Sequence, residues 1–286
     1  MEERNERGET LEEFLARYDE TKYRRPSNTV DMILLTVLKG NLKVLLVKRK
    51  DHPFIHDWAM PGGFVNFDED LDTAMKRELE EETNLFDSTY FRQLYTFGNA
   101  DRDPRTRVIT TVYLSMTPAE NIKMTSAGDD AMDTGWFTIQ KITTTTDGYE
   151  RKSVLMLDEE EKGIHLRYEI YDTACDNYVQ TRSKLLDNSN AKLAADHIKA
   201  INMAIDVVRN RAASTGIMFN LLPKECTLRE IQEVYEAIVN HPVDTGNFRR
   251  DIKKMLVATG NTTIVNGRKV ATYSFNPLLP FVKETL

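Results

Sequence analysis

Cysteine is scarce. Cys175 and Cys226 are the only two in 286 residues, too far apart in sequence to suggest a disulfide framework or the close ligand spacing of a zinc site. A reduced, cytoplasmic chain is therefore expected. Long apolar runs are missing as well. The longest, Val30 to Leu38, is interrupted by Asp31 and falls far short of the ~18–20 residues that a membrane span needs. The amino-terminal MEERNERGETLEEF is charged and has no apolar signal core, which argues against secretion. An excess of positive charge is also lacking. The formal net charge of −7 speaks against nucleic-acid binding by the chain taken as a whole.

That average hides an asymmetry. Residues 247–286 carry seven basic side chains and two acidic ones, which leaves 31 basic and 43 acidic for the rest. A basic tail on an acidic body points to an anionic partner for that end alone. A chain of 286 residues is long for one core, so two domains are expected. Hydrophobic and charged contents of 41% and 29% are those of an ordinary globular chain.

What the sequence has in strength is one stretch, Gly63 to Leu85, reading GFVNFDEDLDTAMKRELEEETNL. Glu78, Glu81 and Glu82 stand at i, i+3 and i+4, one helical face with Cβ atoms roughly 5–6 Å apart. Such a cluster suits a hard divalent cation, Mg²⁺ or Mn²⁺, held through oxygen. A solvated acidic face is the alternative, and it costs only about 0.2–0.5 kcal/mol per like-charged pair. The acids alone decide nothing.

Their surroundings say more. Gly62-Gly63 is followed by five residues and Glu69, then by seven residues and Arg77-Glu78-Leu79-Glu80-Glu81-Glu82. This is similar to the signature of the Nudix hydrolases, G-x5-E-x7-R-E-U-x-E-E-x-G-U with U a bulky aliphatic, save that Asn84 stands for the last glycine. Asn is the commonest other visitor to the left-handed conformation of such a helix end. The resemblance implies a mixed-sheet α/β/α sandwich and water attack on a pyrophosphate. It implies Arg77, Glu78, Glu81 and Glu82 as catalytic residues. Glu78, Glu81 and Glu82 would be metal ligands, joined by the Gly63 carbonyl. Arg77 would orient a glutamate and pair with Glu69.

Along the chain, a short helix is expected from Leu11, with Thr10 and Glu13 as a capping box. Thr29–Leu38 and Leu42–Arg49 read as paired strands. The Pro61-Gly62-Gly63 turn leads to a helix over Leu71–Thr83. Strands follow at Phe91–Phe97, Val108–Met116 and Thr134–Ile139, a pattern that suits a mixed sheet with helices on both faces. Asn99–Arg107, NADRDPRTR, is a loop by its Asp and Pro content. Its arginines can meet a pyrophosphate bidentately or simply be solvated. The phrases DHPFIHDWAMPGGFV and LYTFGNADRDPRTRVITTVY resemble the Nudix subgroup built on ADP-ribose pyrophosphatases, which includes the Nudix-related transcriptional regulators of NAD metabolism. Arg49, Arg102 and Arg105 are the ligand-binding candidates.

From Gln140 to Leu186 the sequence is less informative. The run Thr143–Thr146 reads as loop or strand edge, and Ile164–Tyr171 alternates like a half-buried strand. Asp187–Asn190 reads as a helix start or linker. Ala194, Ile198, Ile201, Ile205 and Val208 then make a helical stripe facing the body or a second subunit. His197 beside it reads as a satisfied structural histidine rather than a ligand. The expected division is an extension over 1–28, a Nudix domain over 29–188, a packing helix over 189–212 and a small domain over 213–286.

Within that small domain Thr227 opens a strong helix, with Glu230 completing a capping box and Leu228, Ile231, Val234, Tyr235 and Ile238 as the apolar stripe. His241-Pro242 ends the helix. Asn247 can cap a second one, with Phe248, Ile252, Met255 and Leu256 inward and Arg249, Arg250, Lys253 and Lys254 outward. Helix, turn and basic helix make a helix-turn-helix candidate. Asn266-Gly267 marks a hairpin with Arg268 and Lys269 at its tip. A basic accessory face is the alternative. LLPKECTLREIQEVYEAIVNHPVDTGNFRRDIKKML and GRKVATYSFNP resemble the winged helix-turn-helix tail of the Nudix-related regulators, which implies a double-stranded DNA operator. Asn247, Arg249, Arg250, Lys253, Lys254, Arg268 and Lys269 are the DNA-binding candidates.

Two functions follow as expectations. One is a homodimeric repressor of NAD biosynthesis or salvage genes whose Nudix domain senses, and in a dual-function protein also hydrolyses, ADP-ribose or a related NAD metabolite. The other is a Mg-dependent ADP-ribose pyrophosphatase whose tail only docks or dimerises. A sugar-responsive regulator on the same scaffold is a third reading, since residues outside the box choose the ligand.

Overall fold

The computed structural model describes residues 3–83, 90–124, 131–176 and 178–276; Asn84 and Leu85 of the signature lie outside them. Helix α1 (Leu11–Ala16) carries the Thr10/Glu13 capping box and buries none of its residues. Strand β1 (Ser27–Leu38) turns through Lys39 and Gly40, both at positive φ, into β2 (Asn41–Arg49). Two short strands follow, β3 (Trp58–Ala59) on β2 and β4 (Gly62–Phe64) on β1. Helix α2 (Leu71–Thr83) comes next, then β5 (Tyr90–Phe97) and β6 (Val108–Met116). The sheet continues with β7 (Ala131–Asp147), β8 (Glu150–Glu159), β9 (Ile164–Cys175) and β10 (Tyr178–Leu185). Its order is β10-β9-β8-β7-β2-β1-β6-β5. The β1–β6 pair is parallel and the other pairs are antiparallel.

Alternation along β1 sends side chains to two different cores. Val30, Met32 and Leu34 meet Ala74, Met75 and Leu79 of α2. Ile33 and Leu35 point the other way, into a larger cluster with Val44, Leu46, Phe137, Leu155 and Ile170. That second face is covered by α3 (His197–Ala212), whose Ile198, Ile201, Ile205 and Val208 are all buried. The four-threonine run lies within the 17-residue β7, with a register shift between Thr143 and Thr145. Strands β8 and β10 had no sequence reading of their own; β10 is an edge strand with mostly exposed side chains.

Beyond α3 come α4 (Leu228–Val239), α5 (Thr245–Ile252) and the hairpin β11 (Leu256–Val265) with β12 (Arg268–Phe275). Thr227 and Glu230 cap α4 reciprocally, and Asn240 ends it in the left-handed conformation. Asn266 and Gly267, both at positive φ, make the hairpin turn. Cys226 ties the hairpin to the start of α4 through two backbone hydrogen bonds with Tyr273, at 2.9 and 2.8 Å. Burial pushes its thiol up to about 12, so it is a packed apolar group and not a reactive one. Ile231, Val234, Ile238, Phe248, Ile252 and Met255 belong to the same cluster as the sheet and α3. One continuous core therefore runs from the sheet, through α3, into the helix-and-hairpin module.

Candidate ligand cleft and nucleic-acid interface

Gly62 and Gly63 bring β4 against β1 and α2. Gly62 has φ +151, and a side chain on it would run into the Val30 carbonyl and Asp31. A Cβ on Gly63 would overlap the Glu78 carboxylate. Only glycine lets that carboxylate lie on the strand.

Arg77 organises the acids. Its Nη2 and Nε donate to the two oxygens of Glu69 at 2.7 and 3.1 Å, Nη1 donates to Glu78 at 2.8 Å and to Glu81 at 3.1 Å, and Nη2 reaches the Phe64 carbonyl at 3.1 Å. The Arg77 hydrogen bonds hold Glu69 below the ordinary carboxylate range. Burial instead raises Glu78, with Arg77 opposing. A desolvated carboxylate of this kind gains most from a nearby cation.

Glu78, Glu81, Glu82, Gly63, Arg77, Arg49, Arg102 and Arg105 all line one cleft of about 520 Å³, with Asp31, Asp103, Phe54, Phe64 and His197. The cleft thus gathers the box on α2 with the loop arginines. Arg49 spends its Nε on the Pro53 carbonyl at 2.8 Å. Arg105 forks onto Asp103 and lies over the Phe64 ring, 5.4 Å from its centroid. Arg102, its side chain only 6% exposed, is bidentate with Asp196 at 2.9 and 3.4 Å. The three glutamates are an all-oxygen set that fits a hard divalent cation. Among the described residues, though, no three acidic, His or Cys side chains converge as a metal site, because Glu78 and Glu81 are both turned toward Arg77.

Sequence reasoning did not place Asp31 and Asp103 in the cleft, nor Asp196 behind Arg102. Asp31 had left a signal, a charge interrupting the longest apolar run. His197 is buried and accepts the Met60 backbone N–H on Nδ1 at 2.9 Å. Burial lowers its pKa, so it is neutral and keeps Nε2–H as a donor. It is thus satisfied, and it also lines the cleft.

The other charged surface is the opposite in kind. Asn247, Arg249, Arg250, Lys253, Lys254, Arg268 and Lys269 are all exposed. Two local expectations need correction. The cap of α5 is Asp244, whose Oδ1 accepts from the Asn247 N–H at 2.8 Å, so Asn247 lies inside the helix; a charged acceptor at the positive helix end is the stronger cap. Lys253 and Lys254 sit on a 3₁₀ turn and not on α5, because Leu256 must already be extended to start β11. Arg250 pairs with neighbouring Asp251 in solvent. The other five arginines and lysines of this surface, Arg249, Lys253, Lys254, Arg268 and Lys269, form no ion pair with a described residue.

A curled mixed sheet with a glutamate-bearing helix over a cleft, followed by helices and a basic hairpin, defines a ligand-binding domain joined to a winged helix. The chain belongs to the Nudix family: residues 27–157 match the NUDIX domain, and residues 218–275 match the NrtR DNA-binding winged helix domain. It is 28% identical over 266 residues to the ADPR responsive transcriptional repressor NtrR of Acinetobacter baylyi, covering 92% of this chain and 87% of the relative. It is 35% identical over 141 residues to the ADP-ribose pyrophosphatase of Methanocaldococcus jannaschii, covering 48% of this chain and 79% of that one. The crystal structure of Shewanella oneidensis NrtR complexed with a 27mer DNA superposes with a TM-score of 0.61 at 26% identity, covering 87% of this chain and 93% of that chain.

Proposed function

We propose that the protein is a DNA-binding transcriptional repressor of NAD biosynthesis or salvage genes, whose Nudix cleft takes ADP-ribose or a related NAD metabolite. The observation that carries this reading is the pairing of two complementary sites in one chain. A cleft with four arginines sits in a Nudix domain, and five unpaired cations lie on α5, the turn after it and the hairpin. The repressor from Acinetobacter baylyi, similar over nearly the whole length, supports it. The second helix of the pair, α5, would enter the major groove while Arg268 and Lys269 reach phosphates. A homodimer would present two such helices to an operator. In a footprint at moderate salt, protection upstream of NAD biosynthesis or salvage genes is expected, with release by ADP-ribose. Protection that ADP-ribose leaves intact would overturn the sensor.

Hydrolysis is a second reading, favoured by the intact acids and by the Glu78–Gly63 approach. Glu78, Glu81 and Glu82 would hold Mg²⁺ or Mn²⁺, with the Gly63 carbonyl as a further ligand. Such an ion supplies charge neutralisation at a pyrophosphate and a more acidic water. The chain's own part is to fix Glu78 and Glu81 through Arg77, with Glu69 anchoring that arginine, as outer partners of metal ligands do. Mg²⁺-dependent conversion of ADP-ribose to AMP and ribose 5-phosphate is expected. Undiminished turnover in the Glu81→Gln, Glu82→Gln double variant would sink the metal assignment.

A further inference from the structure

Asp196 occupies the N-cap position of α3 but does not cap it: its side chain makes no hydrogen bond to the helix backbone. An aspartate there ordinarily accepts from the second or third helical N–H. Both of its oxygens go instead to Arg102, at 2.9 and 3.4 Å, and the pair is nearly shut off from solvent, with side-chain exposures of 14% and 6%. Arg102 also lies 3.9 Å from Asp31, which in turn accepts from Thr110 at 2.6 Å. Arg102 lines the cleft, whereas Asp196 does not. The preceding Ala195 is at φ +43, a left-handed conformation unfavourable to alanine. The start of α3 is therefore held in a costly arrangement by a cation that faces the ligand site.

From that point α3 runs about 24 Å at 1.5 Å per residue. At its far end the Arg209 Nε donates to the carbonyl of Ile238 in α4, at 2.9 Å, and its Nη1 donates to the Lys141 carbonyl at 3.2 Å. One rod thus joins the cleft wall to the first helix of the winged-helix module, packed along its length into a single core.

We infer that Asp196 is the positioning residue that couples the two sites: it and the diphosphate of a bound nucleotide compete for Arg102. This rests on the reading of the cleft as a nucleoside-diphosphate site. A diphosphate bidentate on the guanidinium releases the Asp196 carboxylate. The freed carboxylate turns back to cap α3, and the helix start resettles with the residues ahead of it. Because α3 carries α4, that movement reaches the DNA-binding surface. The coupling is reciprocal, so the contact that opposes ligand is the contact that maintains the DNA-binding arrangement.

Asp196→Asn tests this, with Asp196→Ser as the second variant; both side chains remain good helix caps, and thermal unfolding reports whether each folds. Two dissociation constants are measured on the full chain: ADP-ribose by calorimetry, and a duplex selected by the wild-type chain from a random pool, with and without ADP-ribose. The expected result is tighter ADP-ribose binding in either variant and a weakened duplex affinity. The wild-type effect of ligand on DNA, of the order of 5–150-fold for a coupled pair of sites, should shrink toward unity. A merely structural aspartate would leave ligand affinity unchanged or reduce it. If a folded variant keeps the wild-type coupling, the competition is overturned while the sensor reading stands. If wild-type DNA affinity itself ignores bound ADP-ribose, both fall.

Discussion

The cations of the cleft and those of the winged helix are chemically alike and electrostatically opposite. Arg77, Arg102 and Arg105 each rest on carboxylates of their own chain: Glu69, Glu78 and Glu81; Asp196; and Asp103. Arg249, Lys253, Lys254, Arg268 and Lys269 stand in solvent without an ion-pair partner among the described residues. An arginine already paired discriminates, because a ligand must out-compete the internal acid. An unpaired surface cation attracts any phosphate and is screened by salt. The lesson is that selectivity and attraction are divided between the two ends of the molecule.

The sharpest way to break that contrast is at the exposed end. Arg249→Ala with Arg250→Ala should weaken DNA retention by about 1000-fold, at roughly 1–3 kcal/mol per lost contact. Adding Lys253→Ala and Lys254→Ala should flatten the slope of log K against log salt by about 2 units. Retention unchanged in the arginine variant would mean that α5 does not read DNA. At the paired end, Gly63→Ala should displace Glu78 and lower Mg²⁺-dependent turnover of ADP-ribose by about 100-fold, the scale of a 1 Å misplacement. DNA binding without ligand should survive it. A variant that loses both would mean that the two ends are not separable in this way.

The smallest expected effect concerns His197. It faces Asp31 and Asp196, which raise its pKa, and Arg102 and Arg49, which lower it, but burial dominates and the net shift is downward. The unfolded chain therefore binds a proton that the folded chain refuses. Stability is full above the ordinary histidine value and declines as pH falls through it. In thermal unfolding between pH 7.5 and 5.5, His197→Gln should show a shallower decline than the wild type. An identical decline would place the acid sensitivity elsewhere.

How far the sequence could be read depended on whether a residue's partner lay nearby in the chain. Helix α2, at Leu71–Thr83, was legible to the residue, because its periodicity and the glutamate spacing are local. So were the capping boxes at Thr10 and Thr227 and the turn at Asn266-Gly267. The cap of α5 was misplaced by three residues, since Asp and Asn are both good caps and the advantage of a charged acceptor at the helix end is too small to fix the position from sequence. Strand β8 was invisible because its inner side, at Leu155 and Leu157, is defined by α3 far along the chain, and β10 because it is an edge strand with no buried face to leave a pattern. The same distance hid Asp196, 94 residues after Arg102. Arg102 and Arg105 could be named as ligand candidates from their loop, but not the acids that already occupy them.

The single core running from the sheet through α3 into α4 and α5 has a consequence for the life of the protein in a cell. With Ile231, Ile238 and Phe248 packed in the same cluster as Phe137 and Ile205, the DNA-binding end is expected to melt together with the rest of the chain. A metabolite bound in the distant cleft at 100 times its dissociation constant would add about 2.7 kcal/mol against unfolding of the whole chain. The form released from DNA would then be the more protease-resistant one, a reserve of protein held intact until the metabolite declines.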